Sequence, residues 1–108
     1  MSVQHRELAS GRWRELSLSE QMANIGSEVS RALNWRKKGN PEYCQKAASR
    51  ALELLDLSLD CAGSFPRLKE LARLREAVVD YFFGSNRFAS SEILWRNYFD
   101  HFNYAARK

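Results

Sequence analysis

The segment Arg96-Asn97-Tyr98-Phe99-Asp100-His101 contains the residue types in this chain that are best suited to acid–base or phosphate chemistry. Histidine exchanges a proton near neutral pH, and a guanidinium holds phosphate or carboxylate through paired hydrogen bonds. An ordinary structural role is the alternative, because Arg96 and Asp100 have the i,i+4 spacing of a surface ion pair. His101 lies at the edge of the apolar stripe of the same predicted helix, where half-buried histidines are common.

This segment resembles the Arg–x4–His signature of HEPN-type domains, including the polar Asn97 directly after the arginine. Those domains are small helical bundles that carry the motif in a late helix. The resemblance implies a metal-independent ribonuclease that dimerises to bring two copies of the motif together. In that role Arg96 holds the phosphate, His101 is the acid and base for attack by the RNA 2′-hydroxyl, and Asn97 orients them. Toxic members often carry a tyrosine two residues after the histidine, where this chain has Asn103.

Three further residues are singled out by their helical positions. Arg75 lies near the centre of an apolar arc, so we expect a buried charge that needs an acidic partner, Asp56 or Asp60. The alternatives for Arg75 are a subunit interface and a groove that holds an anion. Trp35 and Tyr104 point away from the apolar stripes of their helices, and we predict that they contact a partner or the N-terminal arm.

The sequence predicts no cofactor and no metal. Cys44 and Cys61 lack CxxC spacing, and the chain has two histidines in all, too few for a usual structural zinc site. We interpret both cysteines as small core residues in a reduced cytosol, which makes a cytoplasmic location the expectation. No apolar run approaches the roughly 20 residues that cross a bilayer, and the first residues show no signal peptide.

The net charge of +4 and the pI near 9.3 are mildly basic. A basic nucleic-acid-binding protein is therefore one possible function, with RNA among its partners. The densest cationic cluster is Arg36-Lys37-Lys38, and it is as well explained by the favourable interaction of cations with a helix C-terminus.

Four amphipathic helices follow from the apolar periodicity and the turn residues. Ser17 and Glu20 have capping-box spacing at the start of the first, and Asn40-Pro41 predicts the start of the second, which runs to about Asp60. Pro66 begins the third, and Ser90-Ser91 precede the fourth. Residues 1–16 are predicted to be a loosely ordered arm or a short helical turn. Gly26, within the first helix, costs about 1 kcal/mol relative to alanine, which indicates close contact with a neighbouring helix.

These observations predict one all-α domain over residues 1–108, an up-and-down four-helix bundle built from two helical hairpins. Nine of the thirteen aromatic residues fall in the last 28, so a homodimer that covers a surplus apolar face is expected. The predicted function is a non-catalytic, HEPN-like interaction or dimerisation module. By analogy its partner is a protein such as a nucleotidyltransferase subunit. A HEPN-like ribonuclease that uses Arg96 and His101 is the alternative from another class.

Overall fold

The computed structural model describes residues 11–106, which are α-helical without a β-strand among them, as the sequence predicts. Residues 1–10, Arg107 and Lys108 lie outside the described residues. The helices, in chain order, are α1 Trp13–Glu15, α2 Leu18–Lys37, α3 Pro41–Asp60, α4 Phe65–Phe83 and α5 Glu92–Ala106.

The long helices begin where the capping residues predict. Ser17 accepts the Glu20 backbone N–H at 3.1 Å, and the Glu20 carboxylate accepts the Ser17 backbone N–H at 2.8 Å, which completes the capping box. Asn40 caps α3, and Pro41 takes the first helical position. Gly39 adopts a φ of 75°, the left-handed conformation that glycine adopts readily and that reverses the chain between α2 and α3.

Helix α2 lies at the centre of the packing. It packs against α3 on one side and α5 on the other, and α3 also packs against α4. The backbones of α4 and α5 come close at very few positions, and the two helices of the predicted second hairpin meet through side chains such as the Tyr81 and Trp95 rings, whose centroids are 5.9 Å apart. The arrangement is compatible with a bundle that is open along one side.

The link between α4 and α5 is ordered by Asp80. Its carboxylate accepts the backbone N–H groups of Arg87 at 2.7 Å and Phe88 at 3.0 Å. Within the link, Asn86 and Ala89 adopt left-handed conformations with φ of 58° and 54°. These bonds hold the link against α4 and so fix where α5 begins.

Trp13 is a core residue that the sequence did not predict. Residues 11–16, the described part of the predicted arm, form a helical turn, and Trp13 is almost fully buried in the main core. Its indole Nε1 donates to the Ser58 hydroxyl at 3.1 Å, and its carbonyl accepts from the Gln21 side chain at 3.0 Å. A single tryptophan among polar neighbours has no periodicity, so its sequence context gave no sign of burial.

The close approach predicted at Gly26 is confirmed. A Cβ placed on Gly26 would lie 2.8 Å from Cβ, Cγ and Cδ1 of Phe99 on α5. The absence of a side chain at Gly26 therefore lets α5 pack against α2. Among the described residues, no helix has the length and apolar character needed to span a bilayer.

Candidate functional site

Arg96 lies between α5 and α2, and three of the five N–H groups of its guanidinium donate hydrogen bonds there. Nε donates to Glu92 at 2.8 Å, one terminal nitrogen donates to Ser30 Oγ at 3.0 Å, and the other donates to Asn34 Oδ1 at 2.9 Å. The hydrogen bond from Arg96 lowers the pKa of Glu92, and the nearby Lys37 adds to the effect. Arg96 thus connects α5 to α2, with each of its guanidinium nitrogens already donating to the protein.

Asn97 and His101 do not converge with Arg96. Asn97 is exposed and lines a groove on the α4 side of α5, whereas Arg96 faces α2. His101 is exposed, with its ring edge-on to Phe102 at 5.4 Å between ring centroids. Within one chain, therefore, the three residues of the HEPN-like segment do not form a common pocket.

Arg75 forms the ion pair that the sequence suggested, but the charge is not buried. Its Nε donates to Asp56 Oδ1 at 2.7 Å, and 39% of the Arg75 side chain and 54% of that of Asp56 are exposed. The apolar arc of α4 is wider than the surface that α3 covers. Arg75 lies near the centre of that arc, and it still reaches solvent at the edge of the contact with α3. An exposed pair of this kind contributes only about 0–1 kcal/mol.

The two off-stripe aromatics have different environments. Trp35 is half-buried against the cluster formed by Ala32, Cys44, Ala47 and Ala48, and it makes an edge contact with the Tyr43 ring at 4.8 Å. Much of its surface is therefore already covered by α3. Tyr104 is 67% exposed on α5.

An open groove lies between α4 and α5. We name it the α4–α5 groove and define it by Leu74 and Trp95 at its floor, Ala77 and Leu94 on its walls, and Lys69 and Arg73 at its rim. Its volume is about 820 Å³. Leu94, on the apolar arc of α5, is 57% exposed, and no described helix covers this side of α5.

A polar bridge crosses the groove at one point. The Tyr98 hydroxyl on α5 donates to Glu70 on α4 at 3.1 Å. Burial, followed by the neighbouring Glu70 carboxylate, raises the pKa of Tyr98 well above its ordinary value, so the hydroxyl stays protonated and remains a donor. The bridge links two helices whose backbones remain apart.

Among the described residues, one hydrogen-bond donor and two charges of the groove-lining residues lack a partner. The Trp95 indole Nε1 is buried with no hydrogen-bond acceptor among the described residues, and such a donor costs about 1–3 kcal/mol. At the rim, Lys69 and Arg73 are exposed, and neither forms an ion pair with another described residue. This surface could not be predicted from the sequence. The apolar arc of α5 shows which side chains are apolar, but not which part of the arc a neighbouring helix covers.

The cysteines and acids form no metal-binding cluster within residues 11–106. Both thiols are free, Cys44 is buried, and Cys61 is partly exposed. Burial raises the pKa of Cys44, so its thiolate form is disfavoured at neutral pH.

Comparison with protein-family models, curated proteins and solved structures finds no match to this chain.

Proposed function

We propose that this protein is a non-catalytic helical interaction module that binds a helix of another protein in the α4–α5 groove. The observation that carries the proposal is the gap between α4 and α5, with buried apolar side chains at its floor and no described element covering it. The four long helices are proposed to run alternately up and down, which would make this gap the open fourth side of a bundle.

The shape of the groove supports a helix as its occupant. On α4 the lining residues extend from Pro66 to Ala77, which is about 16 Å of helix. An amphipathic helix buries residues spaced i, i+3, i+4 and i+7 in such a channel. Three turns of helix therefore match the length of the groove, and the exposed Leu94 supplies apolar contact along one wall.

The contacts of Arg96 support a non-catalytic role over the HEPN-like ribonuclease. Three of the five guanidinium N–H groups already donate to Ser30, Asn34 and Glu92, so a phosphate would have to be held by the remaining two or displace one of these bonds. The bonds join α5 to α2, so their displacement by RNA would weaken the packing of the helix that carries the motif. A binding role for the groove requires no such exchange.

The homodimer expected from the sequence remains a prediction with a definite location. Ile93 and Tyr104 are both largely exposed on α5, and they lie within about 20° of each other on the helical wheel. We propose that a second copy would pack on this outward face. Sedimentation of the wild type beside Ile93→Lys measures whether a dimer forms through this face. A monomeric wild type at high concentration would refute the homodimer.

The proposed function is tested by selection from a displayed library of amphipathic helices. The apolar positions are randomised among aliphatic and aromatic residues, and the other positions are kept neutral as glutamine. We expect helices that bind the wild type and lose binding to Leu94→Lys. Ile93→Lys is the matched control, because Ile93 is the neighbouring exposed apolar residue on α5 and is not among the residues that line the groove.

The wild type, Leu94→Lys and Ile93→Lys are also assayed, beside His101→Ala, for RNA cleavage without added metal. Cleavage that His101→Ala abolishes, together with no helix selected on the groove, would overturn the proposal in favour of the ribonuclease.

A further inference from the structure

We infer that the helix bound in the α4–α5 groove is acidic along the edge that faces α4. This inference rests on the proposed function, and it specifies the chemistry of the partner. The carrying observation is two exposed cations at the rim of an apolar channel, Lys69 and Arg73, that form no ion pair within residues 11–106.

The charged residues lining the groove all come from α4. Lys69 and Arg73 are spaced i,i+4 and are both exposed on the same wall. The third charged residue of the lining, Glu70, lies between them in sequence and accepts the Tyr98 hydroxyl on α5, so the lining carries two cations and one carboxylate. The two cations form no ion pair with the described residues, in contrast to Arg75 on the same helix, which is paired with Asp56.

A docked helix would bring its own flanking side chains against this wall. An occupant with Glu or Asp at two positions one turn apart would place both carboxylates opposite Lys69 and Arg73. A basic helix would meet two like charges, and a neutral helix would leave both cations unpaired. Charge complementarity thus selects an acidic amphipathic helix.

Two other occupants fit less well. A second copy of this chain, docked symmetrically, would bring Lys69 and Arg73 towards the same cations of its partner. RNA would be attracted by the charges, but base stacking needs an exposed aromatic face. Trp95 at the floor of the groove is only 5% exposed, and its ring is covered by the Tyr81 and Phe99 rings at 5.9 and 6.2 Å.

The test uses three labelled peptides that share the best apolar face from the library. Their polar positions are Glu, Gln or Lys, and binding to the whole chain is measured by fluorescence anisotropy at low and moderate salt. We expect the Glu peptide to bind about fivefold or more tighter than the Gln peptide. The Lys peptide is expected to bind weakest, and the differences should shrink as salt rises.

Charge-reversal variants locate the effect. Lys69→Glu/Arg73→Glu should invert the order, so that the Lys peptide binds tightest. Lys38→Glu/Lys46→Glu changes the net charge by the same amount on exposed positions outside the groove, and it should leave the order unchanged. If both double variants invert the order, the preference comes from the overall charge and the inference is wrong.

The outcomes separate this inference from the proposed function. Three peptides that bind equally well, each with binding abolished by Leu94→Lys, would refute the acidic partner and leave the interaction module intact. A library that yields no helix sensitive to Leu94→Lys would refute the proposed function itself. Self-association abolished by Leu94→Lys would assign the groove to a second copy. Single-stranded RNA that binds tighter than the Glu peptide and is lost with Lys69→Glu/Arg73→Glu would assign it to nucleic acid.

Discussion

Replacing Gly26 by alanine tests whether the contact between α2 and α5 determines the packing. In an isolated helix this change is favourable by about 1 kcal/mol. In this protein the new methyl group would lie 2.8 Å from three atoms of Phe99, whereas carbon atoms in contact prefer about 3.5–4.0 Å. One of the three is the Phe99 Cβ, which is fixed to the α5 backbone, so rotation of the ring cannot relieve the clash.

The magnitude follows from two opposing terms. Overpacking of a tight core costs about 1–3 kcal/mol, and the upper part of that range, about 2–3 kcal/mol, applies here because α5 must move rather than a flexible side-chain end. After the gain in helix propensity, we expect Gly26→Ala to lower the free energy of unfolding by about 1–2 kcal/mol. For a domain of this size that corresponds to a melting temperature lower by roughly 5–15 °C.

Urea and thermal denaturation of the purified chain provide the measurement. Ser27→Ala is the matched control, because Ser27 is the next residue of α2 and is exposed. Its free energy of unfolding should rise by a few tenths of a kcal/mol from helix propensity alone. A Gly26→Ala protein as stable as Ser27→Ala would refute the close packing of α5 on α2.

Three further predictions concern the tryptophans, the α4–α5 link and pH. Trp13→Phe should cost about 1–2 kcal/mol more than Trp95→Phe in urea denaturation, because only the Trp13 indole donates a hydrogen bond, and equal costs would contradict this. Ala89→Gly should raise stability by about 0.5–1 kcal/mol, since alanine is strained at a φ of 54° and glycine is not; an unchanged melting temperature would count against the link conformation. The pKa of Glu92 is lowered on folding, so its contribution to stability is present above its unfolded pKa of 4.5 and is lost as pH falls through the lower folded value. Glu92→Gln should therefore flatten the acid side of the stability–pH curve between about pH 2 and 6, and an identical acid side in both proteins would refute the Arg96–Glu92 contact.

The helices could be predicted from the sequence because local chemistry sets their ends. Ser17, Asn40 and Ser64 each cap a helix with a side-chain oxygen, and Gly39 and Gly84 follow the ends of α2 and α4. Such signals depend on residues within one turn of each other. The predicted bounds therefore agree with the structure within about a residue or two.

The arrangement of the helices and the groove could not be predicted in the same way. A helical wheel shows which side chains are apolar, but it does not show which neighbouring helix covers them. Leu94, Trp95 and Phe99 share one apolar arc, yet Phe99 packs against Gly26 of α2, Trp95 forms the floor of the groove, and Leu94 is exposed. The burial of Trp13 likewise depends on Ser58, 45 residues away in the chain.

The contacts of Arg96 also determine which variant can distinguish an enzyme from a binding module. Removing its guanidinium leaves Ser30 and Asn34 without this donor, leaves Glu92 with the longer contact from Lys37 at 3.5 Å, and loosens α5 from α2. Loss of any activity in Arg96→Ala would then follow from a damaged fold as readily as from lost chemistry.

His101 is free of this ambiguity. It is exposed, and its ring lies edge-on to Phe102, so His101→Ala should change the free energy of unfolding by less than about 0.5 kcal/mol. A ribonuclease must lose its activity in His101→Ala at unchanged stability, because the proton transfers would have no other histidine in this segment. An interaction module must keep its helix binding in that variant and lose it in Leu94→Lys, since only Leu94 of the two lines the groove.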